Sequence, residues 1–160
     1  MTLKLQTEVN WIYPVMAFRA TGEVEYFSDL EDFSAVPRWV IDEEVFSGME
    51  LIDANGEQWF VKTVAPRPPK RQLRWWHFVD RLFGVLVTVD LGLEKGGNVP
   101  FAVVRQRVSD QEALEIRKDA MSPEEAEQQV EETLDALRKA NSYEDISEVL
   151  SLSDRVGFLD

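Results

Sequence analysis

The hydrophobic period of this chain changes once, and that change constrains its fold more than any other feature. Up to Val108, apolar residues mostly alternate with polar ones; beyond Ser109 they recur every three or four residues. Alternation suits strands and the longer spacing suits helices. Strands first and helices last predict an α+β fold whose sheet is mainly antiparallel and built from hairpins. One helix is expected between strands at about 72–83, and about three C-terminal helices should pack on the sheet. With 160 residues, one domain is expected over 1–160, with 1–108 mostly sheet and 109–160 helical.

Local signals fill in this outline. Val9 to Arg19 reads as extended, with Pro14 at an edge or bulge. Gly22 to Phe27 alternates, with Val24 and Tyr26 on one face and Glu23, Glu25 and Phe27 on the other. Ser28 to Val36 suits one short helical turn, which Pro37 stops. Met49 to Asp53 and Glu57 to Ala65 form a hairpin about Asn55-Gly56, a pair whose positive φ angles suit a type I′ turn, and Trp59, Val61 and Thr63 line one face. Val85 to Glu94 alternates as a half-buried strand, Lys95-Gly96-Gly97-Asn98 turns, and Phe101 to Val108 returns as its partner. Three helices then open on a serine followed by an acid three residues later: Ser109/Glu112, Ser122/Glu125 and Ser142/Asp145. Pro123 stands at the first helical position. Ala126, Val130, Leu134, Leu137 and Ala140 make one apolar stripe, and Tyr143, Ile146, Val149 and Leu150 make another.

Composition excludes several kinds of chemistry. The chain has no cysteine, which removes disulfides, thiol catalysis and thiolate metal sites. His77 is the single histidine, so a zinc site lacks ligands, and no G-x-S-x-G accompanies it. Asp53-x-Asn55-Gly56 is not an EF-hand, because its glycine comes too early and position twelve would be Val64. Gly96-Gly97 lacks a phosphate-binding pattern around it. No cofactor, metal or enzymatic activity is therefore expected. Met1 to Ala20 lacks the basic start and continuous apolar run of a signal peptide. Leu73 to Leu93 carries four charges, too many for a bilayer span, so a cytoplasmic protein is expected.

The net charge of -13 makes general binding to nucleic acid or to an anionic membrane unfavourable. It is unevenly distributed. Residues 20–60 hold eleven acids against Arg38 alone, residues 61–108 are net basic, and residues 109–160 are again acidic. The C-terminal acids fit the solvated faces of capped helices. Those of residues 20–60 fall on loops and turns, which makes Asp29, Glu31, Asp32, Asp42, Glu43 and Glu44 the candidate partner-binding residues. Their expected partner is another protein, of basic charge.

The Leu51-Ile52-Asp53-Ala54-Asn55-Gly56 hairpin, the basic Trp-rich connector, the valine-rich strand pair and the closing Asn141-Ser142-Tyr143-Glu144-Asp145-Ile146 helix together resemble small acidic bacterial proteins. Their format is similar to that of immunity proteins of toxin systems. The resemblance spans at most residues 49–152 and carries over no site residue. It implies a non-enzymatic binding protein that neutralises a cationic toxin. The alternative is a structural or regulatory adaptor engaging a membrane or acidic partner through a basic-aromatic helix, with Lys70, Arg71, Arg74, Trp75, Trp76 and His77 as its site.

Overall fold

The computed structural model describes residues 2–67 and 86–152. Among these residues the chain forms an α+β fold of seven antiparallel strands and five α-helices. The strands are β1 (Lys4–Leu5), β2 (Val15–Phe18), β3 (Val24–Phe27), β4 (Ala35–Pro37), β5 (Glu50–Ile52), β6 (Glu57–Pro66) and β7 (Leu86–Asn98). Their order is β1-β7-β6-β5-β2-β3, with β4 also paired to β7. The helices are α1 (Leu30–Ser34), α2 (Arg38–Asp42), α3 (Phe101–Asp119), α4 (Pro123–Lys139) and α5 (Tyr143–Ser151). The helix expected at about 72–83 lies outside the described residues.

Strand β2 shows how the sheet divides the molecule. All four of its residues are buried, because Val15 and Ala17 point into one layer while Met16 and Phe18 point into the other. The first layer gathers Phe33 of α1, Val36 of β4, Val40 of α2 and Phe46 over Leu51, Trp59, Val61, Leu91 and Leu93. The second packs Val104 and Val108 of α3, Leu137 of α4, and Ile146 and Leu150 of α5 on Phe18, Val24, Tyr26 and Ile52. Pro14 precedes an interior strand rather than lying on an edge, and there its missing N–H interrupts no ladder.

The hairpin forms between β5 and β6 as expected, but its turn is not type I′: Gly56 alone has positive φ there, and its amide donates to the Asp53 carbonyl at 2.9 Å. Gly56 has φ of 81°, and a Cβ on it would lie 2.6 Å from the Val99 carbonyl oxygen, so any larger residue is excluded. The alternation in β6 does not continue as expected. A bulge between Val61 and Thr63 places an extra residue opposite β7, after which Val64 joins the residues packed on the first layer. Thr63 occupies the space left by Gly92, where a Cβ would meet its Oγ1 at 2.0 Å.

Three further expectations are corrected near residue 100. Phe101 to Val108 is not a strand but the first half of α3, so the helical part begins at Phe101 rather than at residue 109. Val104, Val108, Glu112 and Ile116 form a buried i, i+4 stripe running across the supposed boundary. Ser109 caps nothing; its hydroxyl donates to the Arg105 carbonyl at 2.8 Å within the helix. Lys95-Gly96-Gly97-Asn98 does not turn either, because Lys95 and Asn98 still pair with Trp59 and Glu57. The chain also leaves its first helical turn earlier than Pro37. α1 ends at Ser34, and Pro37 closes β4 and leads into α2.

The last two helices follow their sequence signatures. Ser122 Oγ accepts from the Glu125 amide at 3.3 Å, with Pro123 next in line. Ser142 and Asp145 form a reciprocal capping box, with both bonds at 3.1 Å.

Helix α3 is tied to the sheet by Arg107. Its guanidinium donates to both Glu50 carboxylate oxygens, at 2.9 and 2.7 Å, and lies 4.0 Å from the Phe18 ring centroid. Burial works to raise the Glu50 pKa. Hydrogen bonds from Arg107 and Gln58, with the Arg107 charge, outweigh it and hold the group below its ordinary 4.5. A lowered folded pKa gives stability that is present above the unfolded value and lost as pH falls through the folded one. Arg107→Ala should therefore cost about 1–2 kcal/mol at neutral pH, part of the pairing being screened at the surface. The gap from the parent, measured by urea titration, should narrow below about pH 4. A gap that widens on acidification would rule out this pairing as its source.

Candidate functional site

The six acids expected to meet a partner lie along α1, β4, α2 and the turn that follows. Their local folding explains some of them. Asp29 caps α1, its Oδ1 accepting from the Asp32 amide at 3.0 Å, and Asp32 Oδ2 accepts from the Ser28 amide at 2.6 Å. Both carboxylates are therefore held in fixed positions at a helix start, where negative charge is favoured. Glu31 is exposed on the same short helix. Asp42, Glu43 and Glu44 are exposed at the end of α2, with Asp42 3.7 Å from Arg38 across one turn of an exposed pair.

Among the described residues no hydrogen bond or ion pair joins the two clusters. Asp29, Glu31 and Asp32 lie at the start of α1 and Asp42, Glu43 and Glu44 at the end of α2, with β4 between the helices. Among the described residues no group of three or more His, Cys, Asp or Glu side chains is placed to hold a metal ion. The structure instead supports a ridge of negative charge docked on the sheet. β4 pairs with β7 through Ala35, Val36 and Pro37, while Phe33, Val36 and Val40 anchor both helices in the core beneath.

This ridge differs from strands β5–β7 in the partners of its acids. On those strands acids sit beside bases, Glu50 with Arg107, Glu94 with Lys62, Asp90 with Arg67 and Glu57 with Lys95, while among the described residues of the long helices Glu127 and Asp135 have a base but Glu124, Glu131, Glu144 and Glu148 do not. Among the described residues, Asp42 is the only member of the six in an ion pair. The uncompensated field acts on a neighbour. The Tyr13 hydroxyl pKa is pushed up to about 12, first by burial and then by the charges of Asp29 and Asp32.

Two features of the ridge were not legible as site residues. Trp39 stands on α2 among these charges and is 39% exposed, a residue type enriched where interfaces concentrate their binding energy. Beside it a cleft of about 340 Å³ opens between the end of α2 and β6, lined by Val40, Ile41, Glu44, Phe46, Val61 and Val64 among others. The sequence marks these residues only as apolar and gives no sign that the β6 bulge brings Val61 and Val64 to one side. The basic-aromatic candidates Lys70, Arg71, Arg74, Trp75, Trp76 and His77 lie outside the described residues. Among the described residues no helix is long and apolar enough to cross a membrane. No protein-family model, curated protein or solved structure matches this chain.

Proposed function

We propose that this chain is a non-enzymatic binding protein whose α1–α2 ridge meets a basic partner protein, in the manner of an immunity protein that neutralises a cationic toxin. The observation supporting this reading is the contrast in pairing. Acids on β5–β7 sit beside their own bases, whereas among the described residues only Asp42 of the six ridge acids does. Unneutralised charge on a fixed frame attracts and orients an oppositely charged surface, and it acts mainly on the rate of encounter. Carboxylates can also occupy the positions that phosphates take on a nuclease.

On this reading a basic toxin-like protein is expected to be encoded beside the chain's own coding sequence, and the test is association with that protein. Its rate should fall steeply between about 50 and 300 mM salt. The combined change Glu31→Gln, Asp42→Asn, Glu43→Gln and Glu44→Gln spares both capping aspartates and should slow association about tenfold or more at low salt. Failure of the two proteins to bind, or a complex indifferent to these four changes, would overturn the reading.

A further inference from the structure

We infer that the cleft between α2 and β6 is the receptor for an arginine side chain of the basic partner. The inference rests on the function proposed above for the kind of partner, and on the cleft itself for the residue. Its floor is hydrocarbon: Val40, Phe46 and Val61 are buried, while Ile41 and Val64 are half-buried at its sides. Among the described residues Glu44 is the single carboxylate in the lining, and Asp42 and Glu43 precede it. An apolar trough with an acid at its lip matches a side chain with an aliphatic stem and a cationic head.

The chain's own base at this site is already engaged. Lys62 contributes to the lining, but its Nζ is 3.1 Å from Glu94 and 5.8 Å from the Phe60 ring centroid. Glu44 is therefore left to an incoming charge; among the described residues no base pairs with it. Arginine fits better than lysine. Guanidinium is more weakly hydrated than ammonium, so it loses less on entering a half-apolar site, and its planar fork can take both oxygens of Glu44.

The position of Glu44 is set by backbone geometry. It adopts φ of 52°, an unusual conformation for a residue with a side chain. Its amide donates to the Ile41 carbonyl at 3.1 Å, and the next amide, of Val45, donates to Val40 at 3.0 Å. The turn after α2 is thus closed by backbone bonds on both sides of Glu44, which fixes the root of the side chain at the lip.

The probe is the capped peptide Ala-Leu-Arg-Leu-Ala, compared with versions carrying lysine or uncharged citrulline in the middle. Amide NMR spectra of the full chain should show saturable shifts at Val40, Ile41, Glu44, Val61 and Val64 with the arginine peptide. Binding of the lysine peptide should be weaker, and the citrulline peptide should leave the spectrum unchanged. Glu44→Gln should weaken arginine binding about fivefold. Val64→Trp should abolish it by filling the trough, and Ser47→Tyr at the rim offers a second obstruction should Val64→Trp disturb β6. Shifts spread equally over Asp29, Glu31 and Asp32, or equal binding of all three peptides, would overturn the inference. So would binding that survives both obstructions. Arginine binding in the cleft without any basic protein partner would overturn the proposed function but leave this inference standing. A partner complex indifferent to Glu44→Gln and Val64→Trp would do the reverse.

Discussion

Phe33→Ala is expected to destabilise the fold by about 3–5 kcal/mol, the usual cost of removing a buried aromatic ring. Phe33 is fully buried and is the main anchor of a helix only five residues long. Its ring meets Trp11 edge-on at 5.4 Å and Phe27 at 5.0 Å between centroids. Such contacts add to the burial itself. A five-residue helix has no stability of its own, so α1 is held by this ring and by the Asp29 cap. Urea unfolding gives the stability change, and amide exchange at Leu30 to Val36 shows whether α1 loosens before the sheet. Phe33→Leu, which keeps most of the volume, should cost under half as much. A loss below about 1 kcal/mol for the alanine variant would show that α1 does not depend on its core contact, and with it the fixed placement of Asp29 and Asp32.

Gln6→Leu is expected to cost about 2–5 kcal/mol, although it replaces a polar buried side chain by an apolar one of similar size. The reason lies in what Gln6 completes. The far edge of β7 is covered by β4 opposite Leu86 to Thr88 and by β1 opposite Gly92 and Leu93. Between them, the Gln6 amide donates to the Val89 carbonyl at 2.6 Å and accepts from the Leu91 amide at 2.8 Å. One side chain thus serves two buried backbone groups that would otherwise belong to a ladder. Leucine leaves both unpaired, at about 1–3 kcal/mol each. Gln6→Glu provides an internal check. An ionised carboxylate still accepts from Leu91 but faces the Val89 oxygen, and burial raises its folded pKa above the unfolded value. That variant should lose least near pH 4 and progressively more as pH rises to 7. A leucine variant as stable as the parent would mean that the two backbone groups find other partners.

Local signals that depend on a few adjacent residues were legible in the sequence. Ser122-Pro123 and Ser142 with Asp145 each form the expected cap, and Asn55-Gly56 marks the hairpin correctly, though with positive φ at Gly56 alone. Errors arose where two periods fit the same letters. Val104 and Val108 belong to an alternating run and equally to an i, i+4 stripe, and the stripe prevails because it continues through Glu112 to Ile116 under α3. The Ser109/Glu112 signature misled because serine within a helix can bond back to a carbonyl one turn earlier, as this one does.

The acidic candidates were visible as letters, but their different circumstances were not. Only the i, i+4 spacing from Arg38 separates Asp42 from Glu43, and it has no meaning until residues 38–42 are known to be helical. Nor does the sequence distinguish the ridge from Glu50, whose base arrives from Arg107, 57 positions away. The cleft was hidden for a similar reason. It depends on a bulge that realigns Val64, and a bulge is a property of two paired strands rather than of either one.

The opposite placement of α1–α2 and α3–α5 has an electrostatic consequence. A sheet with a helical layer on each side separates the outer surfaces by roughly 20 Å, about twice the helix-to-sheet spacing. At physiological ionic strength the screening length is about 8 Å. The carboxylates of the long helices therefore contribute almost nothing to the potential above α1 and α2. An approaching partner senses the few charges on the face it meets, and the chain's isoelectric point says little about its attraction. Back to back across one sheet, the two surfaces are electrically independent.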